Sequence, residues 1–142
     1  MQLETFFQED TEAALVSKVV WLEENLSISD AFFSNLLDVD EWEFHRWRSR
    51  EGELSETKQE RLREFWQMIL HLLSFYNYKT ELARNLLEYE AESAGEDYRP
   101  PFAPPWLGTS PKAYLEANGS WGVEKMNEWV LSFRFADRYS TR

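Results

Sequence analysis

Residues 28–47 read ISDAFFSNLLDVDEWEFHRW, and this stretch decides the fold because it contains two short helical patterns joined by a polar corner. Ser29 or Asp30 can cap the first helix, since a short side-chain oxygen accepts hydrogen bonds from the unpaired N–H groups of a first turn. Four apolar residues then share one face of that helix: Phe32, Phe33, Leu36 and Leu37. Beyond the corner, Phe44 and Trp47 mark the buried side of a second helix. This order predicts a helix-turn-helix, whose second helix is presented to a groove or a partner.

The composition is that of a folded, reduced, non-membrane protein. A chain of 142 residues that is 43% hydrophobic and 16% aromatic can bury a substantial core, which argues against disorder. The absence of cysteine excludes disulfides and thiolate metal sites and favours a cytoplasmic location. No apolar run approaches membrane-spanning length, and the acidic start MQLETFFQED is unlike a signal peptide.

Charge is distributed unevenly along the chain. The net charge of −11 argues against a general nucleic-acid binder, since phosphate binding relies on Lys and Arg. Residues 1–60 hold 15 acidic and 5 basic side chains. Six of the 15 basic residues nevertheless lie in one short segment around the end of the helix-turn-helix: Arg46, Arg48, Arg50, Lys58, Arg61 and Arg63. We expect phosphate contacts, if the protein makes them, to come from Arg46, Arg48 and Arg50.

Further helices are predicted on both sides of the helix-turn-helix, whose second helix we expect to end at Gly52. An amphipathic helix over 11–25, capped by Asp10, precedes it, and a long helix opens at Ser55 and runs to about Tyr76. A helix over 80–91 follows, with apolar residues Leu82, Leu86, Leu87 and Tyr89. A short helix over 112–118 begins after Ser110-Pro111 and stops at Gly119, and a last helix over 122–138 buries Val123, Met126, Val130 and Phe133. No strand pattern is present, so the predicted fold class is all-α.

The chain divides at a proline-rich segment. Four of the five prolines lie within 93–105, and no helix tolerates that density. We therefore predict an N-terminal helical bundle over 1–92, with the helix-turn-helix at about 28–50, and a small C-terminal helical module over 106–142.

The second helix of the helix-turn-helix has a face that we expect to point outward. If Phe44 and Trp47 are buried, the outward set is Trp42, His45, Arg46, Ser49 and Arg50. These are the candidate DNA-binding residues, with Arg46 and Arg50 placed to hold a phosphate or a guanine edge. Three carboxylates at the start of the same helix repel phosphate: Asp40, Glu41 and Glu43. A charged surface used for protein contacts is therefore the alternative, and Trp42 either contacts a partner or covers a neighbouring helix.

The C-terminal segment carries more aromatic side chains than it can bury by itself. They are Trp106, Tyr114, Trp121, Trp129, Phe133 and Phe135. Large apolar patches rarely stay bare, so some of these rings pack on the bundle, across a dimer or against a partner. For Trp106 and Trp121 the sequence leaves packing within the chain and partner contact equally open.

The chain resembles the Xre/MbcA/ParS-like antitoxin family. The likeness covers most of residues 26–138 and is carried in the helix-turn-helix by Phe33, Ser34, Leu36, Leu37, Asp38, Val39, Asp40, Phe44, Arg46 and Trp47. In the C-terminal module it is carried by the run Trp106-Leu107-Gly108-Thr109-Ser110-Pro111, followed by Tyr114, Leu115, Gly119 or Gly122, and Val123. The resemblance implies a homodimeric antitoxin that neutralises a RES-domain toxin and represses its own promoter. It also implies toxin contacts from Trp106, Leu107, Pro111 and Tyr114, to which the surplus of aromatic side chains adds Trp121 as a candidate partner contact.

Nothing in the sequence indicates catalysis. The two histidines, His45 and His71, do not belong to a metal-binding or triad motif, and no glycine-rich phosphate loop is present. We therefore expect a non-enzymatic protein without cofactor or metal. The first hypothesis is an antitoxin-like regulator that binds a protein toxin and operator DNA. The second is a protein-interaction scaffold that keeps the helix-turn-helix shape without binding DNA.

Overall fold

The computed structural model describes residues 11–89, 105–106 and 108–140, with side chains as far as residue 132. All regular secondary structure in these residues is helical, which confirms the predicted all-α class. The helices of this part of the chain are α1 (Glu12–Leu26), α2 (Asp30–Leu37), α3 (Glu41–Arg48), α4 (Glu56–Phe75), α5 (Thr80–Glu88) and α6 (Pro111–Ser140). Apart from residue 105, the predicted proline-rich connector lies outside the described residues.

Hydroxyl side chains start four of the helices. Of the two caps predicted for α2, Ser29 is the one used, and the predicted helix starts at Ser55 and Ser110 are confirmed. Each Oγ accepts a hydrogen bond from the N–H three residues later, at 3.2–3.3 Å. For α1 the prediction of Asp10 is wrong. Its N-cap is Thr11, whose Oγ1 accepts from the Ala14 N–H at 3.0 Å.

α3 is shorter than predicted. It ends at Arg48 and not at Gly52, because Ser49 caps it and Arg50 turns the chain with a φ of +65°. The Glu51 N–H returns to the Arg46 carbonyl at 2.8 Å, which satisfies a carbonyl of the last turn. Gly52 has a different role: a Cβ on it would lie 3.1 Å from the Arg46 Cβ, so this glycine permits a close approach.

α5 buries only part of the apolar face that its leucines indicate. It ends at Glu88, before the predicted Ala91. Ala83 and Leu87 are buried, whereas Leu82 is 43% exposed and Tyr89 is also exposed. The small Ala83 lets α5 approach the bundle closely, and the bulkier Leu82 is left outside.

The core is built largely from aromatic rings and from the apolar stripe of α4. Phe33 stacks on Phe44 with ring centroids 5.2 Å apart, and Phe65 packs edge-on against Phe33 at 6.0 Å. The apolar stripe of α4 is buried, and Tyr76 at its end is half-buried: Leu62, Phe65, Trp66, Ile69, Leu72 and Leu73. Because α2, α3 and α4 share this ring cluster, the two short helices are fixed in position on the longer one.

α6 packs on the bundle and bends at Gly119. This residue has a φ of 56° and a ψ of −134°, so α6 consists of two helical segments, as the predicted stop at Gly119 requires. Leu115, Val123, Met126 and Val130 are buried in the common core. Phe133, predicted to be buried with them, lies beyond the described side chains.

Polar contacts hold α6 to four other helices or their ends, one of them the Lys112 Nζ that lies 3.1 Å from the Glu88 carboxylate of α5. The Asn35 side-chain amide of α2 donates to Glu116 at 2.8 Å, and the Lys112 Nζ donates to the Ser27 carbonyl at 3.0 Å. The His71 Nδ1 of α4 lies 2.6 Å from the Asn127 Oδ1. Of the helices described above, none is long and apolar enough to span a membrane.

Candidate nucleic-acid and partner-binding surfaces

α3 is anchored through the two rings that the sequence places inward. Phe44 and Trp47 are buried, which confirms their predicted orientation. The Trp47 Nε1–H also donates to the Glu12 Oε1 at 2.9 Å, so α3 is tied to the first turn of α1. A helix held along one side presents its other side in a defined orientation.

The opposite face of α3 combines an exposed indole with a guanidinium. Trp42 is 66% exposed, and the Arg46 Cζ lies 4.9 Å from the centroid of its ring. The Arg46 Nη2 donates to the Glu51 carbonyl at 2.9 Å. Arg46 is therefore held over Trp42 in a fixed position, with its charge still at the surface.

The remaining candidates for DNA contact surround this pair. His45, Ser49 and Arg50 are exposed, and the His45 Nδ1 lies 3.6 Å from an Asp30 carboxylate oxygen. All five predicted side chains are therefore at least partly exposed: Trp42, His45, Arg46, Ser49 and Arg50. Arg50 lies just beyond the helix end, where the chain turns.

The start of α3 is acidic. The Asp40 carboxylate accepts a hydrogen bond from the Trp42 N–H at 2.8 Å, and Glu41 and Glu43 are exposed in the first turn. Carboxylates stabilise a helix N-terminus by complementing its partial positive charge. The same carboxylates oppose the approach of a phosphate to this end of α3.

Arg48 does not belong to the outward face with Arg46 and Arg50. Its Nη2 lies 2.7 Å from the Glu23 Oε2 of α1, and its Nε lies 3.8 Å from the Asp30 Oδ1 of α2. This pairing argues against the expected phosphate contact from Arg48, since its charge is compensated by carboxylates from two other helices. The spacing of Arg48 from Arg46 and Arg50 could not reveal these carboxylates, because they are distant in sequence.

Glu23 is the perturbed group of this cluster. Burial of its carboxyl and the neighbouring Asp30 carboxyl raise its pKa from the ordinary 4.5 to about 7, against the lowering effect of Arg48. Glu23, Asp30 and Arg48 therefore form a partly buried charge cluster behind the helix-turn-helix, with His45 at its edge.

The residues that the family resemblance assigns to partner binding are not together on one surface. Trp106 is fully buried and packs edge-on against Trp129, with ring centroids 4.6 Å apart. Pro111 is buried at the start of α6, and Tyr114 is half-buried, which raises the pKa of its phenol. Trp121 is 57% exposed. Leu107 lies outside the described residues. Of the two rings left open by the sequence, Trp106 is used inside the chain, and Trp121 remains available to a partner.

Trp121 borders a cleft between α1, α4 and α6 with a volume of about 1020 Å³. Its apolar lining is formed by Leu15, Trp66, Leu70 and Val123, and Glu64 of α4 and Glu124 of α6 also line it. The sequence does not predict this cleft, because it depends on how α6 docks on the bundle. The one sequence signal for it is Trp121 itself, an aromatic residue next to a glycine at the start of the last helix.

No protein-family model matches the sequence, and no curated protein matches it either. Within the parts of the chain that the structure describes, no group of three or more histidine, aspartate or glutamate side chains is arranged to hold a metal ion.

Proposed function

We propose that the protein is a non-enzymatic, antitoxin-like regulator of the cytoplasm. It binds a protein toxin through its C-terminal helices and operator DNA through its helix-turn-helix. The observation that carries the DNA-binding part is the outward face of α3, where Arg46 is held over the exposed Trp42, with Arg50 exposed just beyond the end of the helix. The motif resemblance supports the toxin-binding part and suggests a RES-domain toxin and a homodimer as the functional form.

In this proposal the C-terminal end of α3 approaches the DNA backbone. Arg46 and Arg50 bind phosphates on either side of Trp42, whose exposed ring contacts the sugar or a base edge. The acidic start of α3 points away from the duplex, because Glu41 and Glu43 repel phosphate. Such binding is electrostatic, so its affinity falls steeply as salt rises.

Fluorescence anisotropy with a labelled duplex from upstream of the gene tests this part. We expect binding at low salt, with the slope of log K against log salt reduced by about 0.9 for each phosphate contact removed. The variants Arg46→Ala and Arg50→Ala each remove one such contact. Lys79→Ala, an exposed cation at the start of α5, is the matched control and retains the wild-type slope. Absence of binding at about 50 mM salt, where such contacts are strongest, contradicts the DNA-binding part.

The second candidate function is a protein-interaction scaffold, and a specific observation favours it. Arg48 is neutralised by Glu23 and Asp30, which leaves fewer cations on the helix-turn-helix than its sequence indicates. A tagged pull-down from the native host, with and without nuclease, separates the two functions. Promoter DNA together with a stoichiometric toxin from the adjacent gene supports the regulator. A stoichiometric protein partner with no DNA, even at low salt, supports the scaffold.

A further inference from the structure

The cleft between α1, α4 and α6 has apolar walls and a single exposed ring at its edge. Leu15, Trp66 and Val123 are almost completely buried, so each contributes only a small apolar patch to the lining. Trp121, at 57% exposure, supplies the large accessible apolar surface. An open groove between helices with an aromatic anchor has the shape that accepts an amphipathic helix.

Among the residues that the structure describes, the charges at the cleft that have no ion-pair partner are acidic. Glu64 and Glu124 are exposed, and among the described residues none is ion-paired with either of them. The two cations of the lining, Lys18 and Arg63, already contact other side chains of the protein. The Arg63 Nη1 lies 3.0 Å from Glu56 and 3.3 Å from Glu60, and the Lys18 Nζ lies 5.5 Å from the Trp66 centroid. Because Lys18 is only 4% exposed, the exposed charges that an incoming ligand meets at the rim are those of Glu64 and Glu124.

Trp121 and Glu124 belong to the same turn of α6. Three residues apart on a helix, they lie on one face, so a ligand that contacts the ring also reaches the carboxylate. The Lys125 Nζ lies 4.3 Å from the Trp121 centroid and 3.6 Å from the Glu128 carboxylate, which restrains the ring. An aliphatic chain that ends in a cation matches this combination of ring and carboxylate.

We propose that this cleft binds an amphipathic helix of a partner protein that carries Leu-type side chains on one face and Arg or Lys beside them. The inference rests on the proposed partner-binding function and specifies the surface and the chemistry of the partner. The charge argues against a nucleic acid, because Glu64 and Glu124 repel phosphate. Apolar burial against Trp121 supplies affinity, and the carboxylates select for a basic partner.

The test uses two synthetic helical peptides of about 18 residues, five turns of helix. Both have Leu at i, i+3, i+4 and i+7, and their remaining positions are Arg-rich in one peptide and Glu-rich in the other. Isothermal titration calorimetry is run on the full chain. We expect the Arg-rich peptide to bind and the Glu-rich peptide not to bind. Trp121→Ala and the double variant Glu64→Lys/Glu124→Lys should each weaken binding by about tenfold or more, as for a central anchor of an interface.

A second pair of variants controls for the loss of an exposed indole and for the change in the net charge of the chain. Trp42→Ala and Glu41→Lys/Glu43→Lys change an exposed indole and two exposed carboxylates on α3, away from the cleft. They should leave peptide affinity within about twofold of the wild type, since surface charges outside a contact act weakly at physiological salt. Equal losses in both pairs, or no binding of the Arg-rich peptide, overturn the proposal.

Two further measurements separate this inference from the proposed function. Size-exclusion chromatography with light scattering shows whether a second copy of the chain occupies the cleft. The proposal is overturned if the chain is a dimer that the Trp121→Ala substitution dissociates but the Arg-rich peptide does not dissociate. DNA affinity should be unchanged in Trp121→Ala. A failure of the wild type to bind operator DNA therefore bears on the helix-turn-helix alone, whereas a failure to bind the Arg-rich peptide bears on the cleft.

Discussion

At the scale of single residues, Glu23 sets a pH dependence of stability. Its pKa is about 7 in the folded chain and near 4.5 when solvated, so the folded state binds the proton more tightly. The stabilising contribution of the protonated carboxyl is complete below about pH 4.5 and is lost as pH rises through about 7. We predict that Glu23→Gln, which stays neutral, raises the free energy of unfolding at pH 8 by about 1 kcal/mol. This value is smaller than the free energy that corresponds to the whole pKa shift, because the carboxyl is partly solvated.

Urea denaturation of wild type and Glu23→Gln at a series of pH values measures this effect. The two curves should coincide near pH 4 and separate between about pH 5 and 8, the range set by the two pKa values. Glu24→Gln is the matched control, because its carboxyl is the next residue on α1 and is exposed. A difference between wild type and Glu23→Gln that does not vary with pH contradicts the assignment.

Residue orientation within α3 was predictable from the sequence, and the partners of its side chains were not. Helical spacing alone places Phe44 and Trp47 inward and Trp42 outward, because 3.6 residues per turn fixes their angles. Arg48 shows what helical spacing cannot predict. Its spacing groups it with the surface cations, but its guanidinium meets Glu23 and Asp30, which belong to other helices. Contacts between residues distant in sequence have no periodic signature.

At the scale of secondary-structure elements, the bend of α6 depends on Gly119. Its φ of 56° with a ψ of −134° is open to glycine and strained for any residue with a Cβ. A Cβ there would also lie 3.3 Å from the Leu36 carbonyl oxygen of α2. We predict that Gly119→Ala lowers the free energy of unfolding by about 1–3 kcal/mol, the usual range for one strained residue.

Gly108→Ala is the control for this substitution. Gly108 also has a positive φ, of +88°, but a Cβ there would have no atom within 4 Å, so the variant adds strain without a contact. Urea denaturation of both variants should show the larger loss for Gly119→Ala. Equal losses would mean that the approach to Leu36 contributes nothing.

Element starts were easier to predict than element ends. A serine before a helical pattern caps its own neighbours, so Ser29, Ser55 and Ser110 can be found from local sequence. The end of α3 depends on Arg50 adopting a positive φ. From sequence such a φ is expected of a glycine, and Gly52, two residues later, is therefore the predicted end. In α5, the choice of Ala83 over Leu82 for the buried side follows from the space left by the neighbouring helices.

At the scale of the whole molecule, α6 and the helical bundle share one hydrophobic core. The sequence predicts both parts, since each has its own apolar pattern and a proline-rich segment separates them. It does not predict their docking. That arrangement depends on tertiary contacts, such as Asn35 with Glu116 and His71 with Asn127, and it also creates the cleft beside Trp121. The candidate partner surface was therefore beyond what the sequence alone could locate.

Because the core is shared, we predict that a cavity in α6 destabilises the entire chain. Met126 is fully buried, and Met126→Ala should lower the free energy of unfolding by about 2–5 kcal/mol. Glu128→Ala, two residues further along α6, removes only an exposed carboxylate and its pair with Lys125, so it should change stability by less than about 0.5 kcal/mol. Denaturation followed by both far-ultraviolet circular dichroism and tryptophan fluorescence should give one coincident transition that moves as a unit in Met126→Ala. Two transitions, of which the substitution moves only one, would show instead that the C-terminal helices unfold independently of the helix-turn-helix.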